Sequence, residues 1–258
     1  NKEVASEYYN QAPIIMKEFE QLFGTYPWWN DGCRFVESTF SAMEHQSCIA
    51  MGDDYRKNWK NTINTTLVHE LAHEWWGNSV TGKDYCDIWI HEGMATYSEA
   101  LFLEQHLGID DYSKRIQRML FSTSNTIPIH KICGVVYNSW TNGPDQDIYD
   151  KGALMMHSLR TLVNDDILFM NALKQIQIDF AEQNISSEEM VLKLNELLLD
   201  DYSPMLNWYL DETKPPQLEI RLDRIKNKLH YRWAKEIPLM MQQELLLVMN
   251  GEETRLNP

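Results

Sequence analysis

The sequence predicts an α+β fold that is mainly helical, and two observations support this class. Over most of the chain, up to Leu210, apolar residues recur at the spacing of amphipathic helices. Beyond Pro215 and Pro216 the pattern changes to short stretches in which apolar and polar residues alternate, as they do in strands. We therefore expect a helical domain at residues 1–214, followed at residues 215–258 by the first strands of a β-unit too short to close a sandwich alone.

The composition is that of a globular chain and argues against two classes of partner. Of the 258 residues, 43% are hydrophobic and 24% are charged, which is unlike a disordered or collagen-like sequence. The net charge of −15 has the wrong sign for a protein that tracks the phosphates of nucleic acid. Since no apolar run approaches the ~18 residues that span a bilayer, we expect no membrane span in this chain.

The cysteines and the first residues predict neither a compartment nor an oligomeric state. The four cysteines lie far apart and include no Cys-x-x-Cys pair, so their redox state stays open: Cys33, Cys48, Cys86 and Cys133. The chain begins at Asn1 without a charged-then-apolar leader. We therefore expect any targeting segment to lie outside it.

Periodicity and punctuation residues divide the first part of the chain into elements. A helix is predicted for residues 6–23, because its apolar residues have helical spacing and Gly24 supplies a stop. A strand is predicted for residues 33–40. From residue 59 the apolar side chains step by four toward Gly77, which predicts an amphipathic helix over residues 59–77.

The second half of the helical part is predicted in the same way. A helix covers residues 87–108, Asp111 can cap the next helix, and residues 122–144 are rich in turn-forming residues. Ser186 and Glu189 have the spacing of a capping box at a helix start. Four further helical stretches are predicted: residues 147–163, 167–182, 188–199 and 205–210.

A His-Glu-Leu-Ala-His pentapeptide at residues 69–73 lies inside the helix predicted for residues 59–77. At ~100° per residue, His69 and His73 project from one face one turn apart, so that both can bind one metal ion. Neutral imidazoles suit zinc. Glu70 is one position off that face, where its carboxylate can reach a water molecule without replacing it. The alternative is a chance string on an ordinary surface helix.

The third ligand of a catalytic zinc site should be a carboxylate or imidazole on a neighbouring element. Glu92 follows His73 after eighteen intervening residues. It could instead be an acidic residue favoured by the helix dipole, and His91 is a rival ligand. At this spacing the sequence resembles the aminopeptidase-N-type zinc metallopeptidases, which are gluzincins with a ligating Glu eighteen residues after His-Glu-x-x-His. The resemblance implies one Zn²⁺ per chain, held by His69, His73 and Glu92.

A second motif of that family is a Gly-Ala-Met-Glu-Asn strand, which pairs with the substrate backbone and whose Glu binds the free α-amino group. The corresponding residues here are Ser41, Ala42, Met43, Glu44 and His45. The retained Glu44 implies cleavage restricted to the N-terminus, because a carboxylate facing a substrate ammonium recognises that end. His45 in place of Asn leaves fine substrate preference open. Phe40 is a candidate for lining the pocket of the first side chain, with a core position as the equal alternative.

Two further residues gain roles from the resemblance. A Tyr-Asp-Lys-Gly-Ala segment at residues 149–153 matches the family's Tyr-x-Lys-Gly-Ala, which implies that Tyr149 stabilises the oxyanion. Its alternative is the usual half-buried core position of a helical tyrosine. Glu99 lies seven residues beyond Glu92, and the family has a glutamate there that could orient a ligating imidazole. A solvated surface position is as good an interpretation of Glu99.

The resemblance extends from about Tyr8 to the double proline. It implies a thermolysin-like zinc metallopeptidase catalytic domain followed by the start of a β-sandwich, and we expect the family's further domains to lie outside this chain. The implied activity is hydrolysis of the N-terminal bond of peptides with a free N-terminus, with Glu70 as general base. The rivals are an epoxide hydrolase or endopeptidase, which the retained Glu44 disfavours, and a non-catalytic scaffold, which Glu70 and Tyr149 together disfavour.

Overall fold

Helices form most of this computed structural model, which describes residues 2–52, 58–60, 62–130, 133–135, 146–213, 218–223, 228–233, 245–249 and 252–256. No helix in these ranges is both long enough and apolar enough to cross a membrane. A short 3-10 helix, Tyr85–Asp87, precedes α4. The α-helices are, in chain order, α1 (Lys2–Tyr9), α2 (Ala12–Phe23), α3 (Thr65–Ala72), α4 (Trp89–Leu107), α5 (Ile109–Ser122), α6 (Asp147–Val163), α7 (Asp166–Asp179), α8 (Ser187–Leu198) and α9 (Ser203–Asp211).

The strands are short and form small sheets. One sheet has three strands in the order β1-β3-β2, with β1 (Arg34–Glu37) parallel and β2 (Ala42–Met43) antiparallel to β3 (Cys48–Met51). The other strands pair two by two. The antiparallel pairs are β4 (Asn58–Trp59) with β5 (Ile63–Asn64), β8 (Leu218–Asp223) with β9 (Lys228–Trp233), and β10 (Leu245–Met249) with β11 (Glu252–Leu256); β6 (Val80–Gly82) is parallel to β7 (Gln183–Ile185).

Helix α4 is the centre of the domain. Apart from the partly exposed His91, its residues are buried from Trp89 to Leu103, which is the pattern of a helix enclosed by others. Helices α3, α5 and α6 pack around it. At the crossing with α6, a Cβ on Gly152 would stand 2.9 Å from the Cα of Gly93. Two glycines therefore allow the backbones of α4 and α6 to touch near their N-terminal ends.

The single helix predicted for residues 6–23 is wrong, because the chain breaks between α1 and α2. Pro13 occupies the first turn of α2. A proline has no backbone N–H to continue a helix from the preceding turn, but it suits a helix start. The predicted end of this helix at Gly24 is confirmed, and Gly24 has a φ of 98°, a conformation that glycine adopts without strain.

The helix predicted for residues 59–77 is shorter than expected at both ends. Trp59 and Ile63 pair with each other in β4 and β5, so they are not helical. Helix α3 begins after Asn64, whose side-chain oxygen accepts a hydrogen bond from the N–H of Leu67 at 2.7 Å. The apolar residues do step by four across this segment, but the asparagine cap decides where the helix begins.

Of the two helix N-caps predicted from the sequence, one is confirmed and one is wrong. Asp111 lies in the first turn of α5 rather than before it, and Gly108 is the N-cap. The Asp111 carboxylate instead accepts a hydrogen bond from the indole N–H of Trp59 at 3.0 Å. The capping box is present as predicted, since the side chains of Ser186 and Glu189 each bind the other's backbone N–H.

The redox state of the cysteines, which the sequence leaves open, is partly answered by one disulfide. Cys86 is bonded to Cys133, 47 positions away, while Cys33 and Cys48 carry free thiols. The disulfide ties the segment that precedes α6 to the 3-10 helix that precedes α4.

Strands are present after residue 214, as two antiparallel hairpins, β8–β9 and β10–β11. The predicted boundary at Pro215 and Pro216 lies outside the described residues. The start of a β-sandwich and the division into residues 1–214 and 215–258 therefore stay predictions.

Candidate metal centre

The two histidines of the pentapeptide lie at the C-terminal end of α3. His69 is in the last turn and His73 is the C-cap, so the motif ends the helix instead of lying in its middle as expected. The Nδ1 of His73 donates a hydrogen bond to the carbonyl oxygen of Trp76 at 2.9 Å. Because that bond occupies Nδ1, the Nε2 of His73 faces His69, whose own Nε2 is 3.0 Å away.

Glu92 brings a carboxylate to the two imidazoles from the first turn of α4. Its Oε2 lies 3.2 Å from the Nε2 of His69 and 3.4 Å from the Nε2 of His73. Each of the three residues offers one donor atom, and all three atoms lie within 4.8 Å of one another. Two imidazole nitrogens and one carboxylate oxygen are a ligand set of catalytic zinc sites, so the donors present fit this metal.

Glu99 orients His69 from two turns further along α4. Its Oε1 accepts a hydrogen bond from the Nδ1 of His69 at 3.0 Å, which leaves the Nε2 of His69 available as a ligand. The other oxygen of Glu99, Oε2, accepts a hydrogen bond from the Nε of Arg115 of α5 at 3.2 Å and lies 3.2 Å from the Nη2 of the same guanidinium. The side chain of Glu99 is only 8% exposed, so it is not a solvated surface residue.

The electrostatics of this cluster favour a cation at its centre. Burial lowers the pKa of His69, but hydrogen bonds to Glu92 and Glu99 outweigh burial and raise that pKa well above its ordinary value. The pKa of His73 is raised in the same way by Glu92. Burial would raise the pKa of Glu92, but the two imidazoles lower it far below its ordinary value. Carboxylates that stabilise protonated imidazoles also stabilise a dication that replaces those protons.

Glu70 faces the same space as the three candidate ligands. Within the described ranges, its Oε2 is buried and has no hydrogen-bond partner. Burial raises the pKa of Glu70 to about 7, although His69 and His73 act against this shift. Atoms of Glu44, Glu70 and His73 lie within 4.8 Å of one another. Since a buried polar atom without a partner costs stability, this arrangement is typical of a functional position.

Strand β2 and the residues beside it form one wall of the cleft. The wall comprises Ser41, Ala42, Met43 and Glu44, and β2 is the outer strand of its sheet. The side-chain amide of Asn78 donates a hydrogen bond to the carbonyl oxygen of Glu44 at 3.0 Å. Register with β3 and this one side-chain bond therefore hold Glu44 at the cleft.

Two candidates from the sequence lie away from this cleft. Phe40 is not among the described residues that line the cleft, and the residue is 51% exposed. At His91, the rival ligand, Nε2 accepts a hydrogen bond from the backbone N–H of Gly82 at 2.8 Å. Burial lowers the pKa of His91 to about 4, so the ring is neutral and already engaged outside the three-residue metal group.

Tyr149 reaches the site from the first turn of α6. Its ring stacks with that of His69, with centroids 5.8 Å apart and 28° between the planes. Burial and the nearby charge of Glu92 raise the pKa of Tyr149 above its ordinary value, which keeps its hydroxyl protonated. The start of α6 is anchored by Asp147, whose carboxylate accepts hydrogen bonds from the N–H groups of Ser124 and Asn125 at 2.7 and 2.6 Å.

These side chains surround a cavity of about 570 Å³, and sequence reasoning missed part of its lining. Asp150 directly follows Tyr149 in a matched segment and could have been noticed there. No pattern distinguishes Arg115 from the other cations of α5, because only the fold brings it to Glu99. The missed lining residues are Thr65, Thr66, Thr96, Arg115, Gln146 and Asp150.

Comparison with known proteins gives one family match and several relatives. Residues 9–209 match the family described as "Peptidase family M1 domain". Human Aminopeptidase B is 24% identical over 243 residues, which cover 84% of this chain and 33% of that protein. Human Endoplasmic reticulum aminopeptidase 1 is 30% identical over 135 residues, which cover 50% of this chain and 14% of that protein. The chain thus spans a third of the length of Aminopeptidase B, and less of the second relative.

Solved structures share the fold at low sequence identity. The M1 zinc metallopeptidase from Deinococcus radiodurans has a TM-score of 0.65 and 21% identity, covering 80% of this chain and 45% of that one. Leukotriene A4 hydrolase from Saccharomyces cerevisiae has a TM-score of 0.65 and 19% identity, covering 82% of this chain and 36% of that one.

A mainly helical domain in which two imidazoles and a carboxylate converge beside a second carboxylate has the architecture of a metallopeptidase catalytic domain. With most of its length matched, the chain belongs to peptidase family M1. The resemblance to aminopeptidase-N-type zinc metallopeptidases is thereby confirmed at the level of the family, as is the helical catalytic-domain fold.

Proposed function

We propose that this chain is the catalytic domain of a zinc-dependent aminopeptidase, which hydrolyses the N-terminal bond of peptides with a free α-amino group. One observation carries the proposal: the three candidate ligands and the carboxylates of Glu70 and Glu44 meet around His73 in one cleft. A metal site, a general base and an anchor for the amine are the parts that this reaction needs within reach of one peptide bond.

The zinc ion is assigned to the Nε2 atoms of His69 and His73 and the carboxylate of Glu92, with one ion per chain. Glu99 supports this assignment, because its hydrogen bond to Nδ1 directs the Nε2 of His69 toward the other donors. When bound, zinc supplies Lewis acidity that polarises a carbonyl group and makes water a stronger acid.

Glu70 is the general base in this proposal. Its Oε2 accepts a proton from the water that attacks the scissile carbonyl carbon, and the same carboxyl group then delivers the proton to the leaving amine. Its place beside the ligands in sequence lets it reach that water without becoming a ligand. The Tyr149 hydroxyl donates a hydrogen bond to the carbonyl oxygen as negative charge develops there.

Glu44 and β2 hold the substrate. The Glu44 carboxylate forms a charge-assisted pair with the substrate ammonium, an interaction that an internal peptide segment cannot offer. Strand β2 is the outer strand of its sheet, and an extended peptide can add to such an edge through backbone hydrogen bonds. Together these contacts place the first peptide bond over the ligands and exclude longer N-terminal extensions.

Measurements of zinc content distinguish the proposed ligand, Glu92, from the proposed general base, Glu70. We expect Glu92→Ala to lose stoichiometric zinc in elemental analysis after dialysis, because it removes one of three donors. Glu70→Gln should keep its zinc and lower turnover by about 10² to 10⁴, the range typical of a general base. Full zinc content in Glu92→Ala would contradict the ligand assignment, and unchanged turnover in zinc-loaded Glu70→Gln would contradict the role of the base.

Blocked substrates test the amine anchor. Free aminoacyl chromogenic substrates should be cleaved and their N-acetylated forms refused, because acetylation removes the charge that pairs with Glu44. Glu44→Gln should lower kcat/KM for the free substrates alone. Equal cleavage of free and acetylated substrates would favour the endopeptidase, and zinc binding without cleavage of either would favour the scaffold.

A further inference from the structure

Arg115 lies where three helices meet beside the candidate metal centre. From α5, its Nε donates a hydrogen bond to Oε2 of Glu99 on α4 at 3.2 Å, and its Nη2 forms an ion pair with the same oxygen, also at 3.2 Å. Its Nη1 lies 3.7 Å from Oδ1 of Asp150 on α6. One guanidinium therefore joins the helix that carries Glu92 to the helix that carries Tyr149.

This link is sheltered from solvent. The side chains of Arg115, Glu99 and Asp150 are 15%, 8% and 11% exposed, so their attraction is screened far less than that of a surface ion pair. Helix α5 is attached to α6 a second time through Ser122, whose hydroxyl donates to the Asp150 carboxylate. Among the cavity-lining residues in the described part of the chain, Arg115 is the one lysine or arginine.

The packing of α4 on α6 makes the charge between them important. The helices touch at Gly93 and Gly152, so no side chain at the crossing can adjust to a change in the distance between the two helices. Glu99 follows Gly93 by six residues and Asp150 precedes Gly152 by two. Their like charges repel each other in a sheltered site. The guanidinium of Arg115 lies between the two carboxylates and attracts both, which offsets their mutual repulsion.

We propose that Arg115 is a positioning residue, which fixes the orientation of His69 through Glu99 and the placement of Tyr149 through Asp150. This inference rests on the proposed zinc site and extends its support one residue beyond Glu99. Arginine suits the role because its planar guanidinium can face two carboxylates at once, whereas the ammonium of lysine is a point charge.

Zinc affinity of Arg115→Met is the deciding measurement, by competition with a chromogenic chelator, and Arg160→Met is its matched control. Arg160 also joins carboxylates of two helices, Glu104 and Asp166, but it lines a different cavity. Both variants should lose stability. Only Arg115→Met should bind zinc more weakly, by about 3- to 10-fold, which is less than the roughly 10- to 100-fold cost of losing the direct partner of a ligand because Arg115 acts through Glu99. Equal zinc affinity in both variants and the unaltered protein would overturn the proposal.

Cobalt substitution gives a readout that a purely structural role would not move. The visible absorption of bound Co²⁺ depends on ligand geometry, so Arg115→Met should shift the spectrum and Arg160→Met should not. Arg115→Lys keeps the charge but loses the fork, so it should show an intermediate zinc affinity, and it decides the matter if Arg115→Met does not fold. Unaltered zinc affinity and an unaltered cobalt spectrum in Arg115→Lys would overturn the proposal.

The second link is tested separately by Asp150→Asn. This variant keeps the Arg115–Glu99 bonds, so zinc affinity should be retained while kcat falls and KM changes little, because Tyr149 acts on the transition state. An unchanged kcat would overturn this part of the inference. Failure of the proposed function is distinguishable: an unaltered protein that binds no zinc refutes the zinc site itself, whereas one zinc bound equally tightly in Arg115→Met refutes only the positioning role.

Discussion

Two arginines bridge carboxylates across the helices around α4, and they differ in a way that their hydrogen bonds alone do not predict. Arg160 donates to both oxygens of Glu104, at 2.6 and 3.1 Å, and to both oxygens of Asp166, each at 2.8 Å. Arg115 makes longer contacts, at 3.2 and 3.7 Å. The Arg160 cluster (Arg160, Glu104 and Asp166) thus has the shorter and more numerous hydrogen bonds. However, Asp166 is 66% exposed, whereas both acids of the Arg115 cluster (Arg115, Glu99 and Asp150) are nearly buried.

The two clusters also differ in what their carboxylates touch. Glu104 uses both of its oxygens for Arg160, so neither oxygen contacts a candidate ligand. Glu99 uses one oxygen for Arg115 and the other for His69. The position of Arg115 therefore affects His69, a candidate ligand, through Glu99. We expect the arginine–carboxylate contacts to affect zinc binding in the Arg115 cluster and only stability in the Arg160 cluster.

The largest expected effect compares the two glutamates. Glu99→Gln should weaken zinc binding by about 10- to 100-fold, because it removes the charge that holds the proton on Nδ1 of His69. Glu104→Gln should leave zinc affinity unchanged. Chelator competition on both variants measures this, with unfolding in urea as the control for stability. Equal losses of zinc affinity would show that general destabilisation, and not contact with the ligand, explains the effect.

The candidate metal group could be assembled from the sequence because helices convert local spacing into a shared face. His69 and His73 are one turn apart, and the family spacing supplies Glu92; the structure brings the three together, although their role as ligands stays a prediction. Arg115 could not be found in this way. It lies sixteen positions after Glu99 on a separate helix, so only tertiary packing brings the two together.

Helix boundaries were predictable where the capping residues are close in sequence. They were not predictable where a cap lies inside a stretch whose apolar residues have helical spacing. The capping box of Ser186 and Glu189 was predicted because both partners lie within one turn. Trp59 and Ile63 fit the period of a helix, yet they pair as strands, because the cap at Asn64 starts α3 later. A four-residue apolar period therefore indicates a helix only when no better start signal lies inside it.

The second prediction concerns stability at the Arg160 cluster. Glu104→Gln should cost about 1–2 kcal/mol of unfolding free energy, because it breaks a partly buried two-point pair. Asp166→Asn should cost only about 0–1 kcal/mol, since its carboxylate is largely exposed. At about 1 M NaCl the cost for Asp166 should disappear, as the screening length there is about 3 Å. Urea unfolding at low and high salt measures both. A larger loss of unfolding free energy in Asp166→Asn than in Glu104→Gln would show that solvent exposure does not determine the strength of these two ion pairs.

The smallest expected effect is a pH dependence at the same end of the helices. The Nδ1 of His157 on α6 lies 2.7 Å from the hydroxyl of Tyr112 on α5, with Arg160 on its own helix and Glu104 facing it from α4. Burial, followed by the charge of Arg160, lowers the pKa of His157 below its ordinary value of 6.5. An imidazole with a lowered pKa binds fewer protons in the folded than in the unfolded protein, so its stabilising contribution is complete above pH 6.5 and is lost as pH falls through the folded pKa.

His157→Gln tests this, because its side-chain amide can hydrogen-bond with the hydroxyl of Tyr112 and does not titrate. Between about pH 7.5 and 5, the unfolding free energy of the variant should depend less on pH than that of the unaltered protein. The difference in slope cannot exceed ~1.4 kcal/mol per pH unit, the limit for one proton. Zinc affinity measured on both proteins at each pH should coincide, because His157 belongs to the cluster that does not touch the candidate ligands. Parallel stability profiles would remove the role of His157, and a difference in zinc affinity would show that the two clusters are coupled through α6.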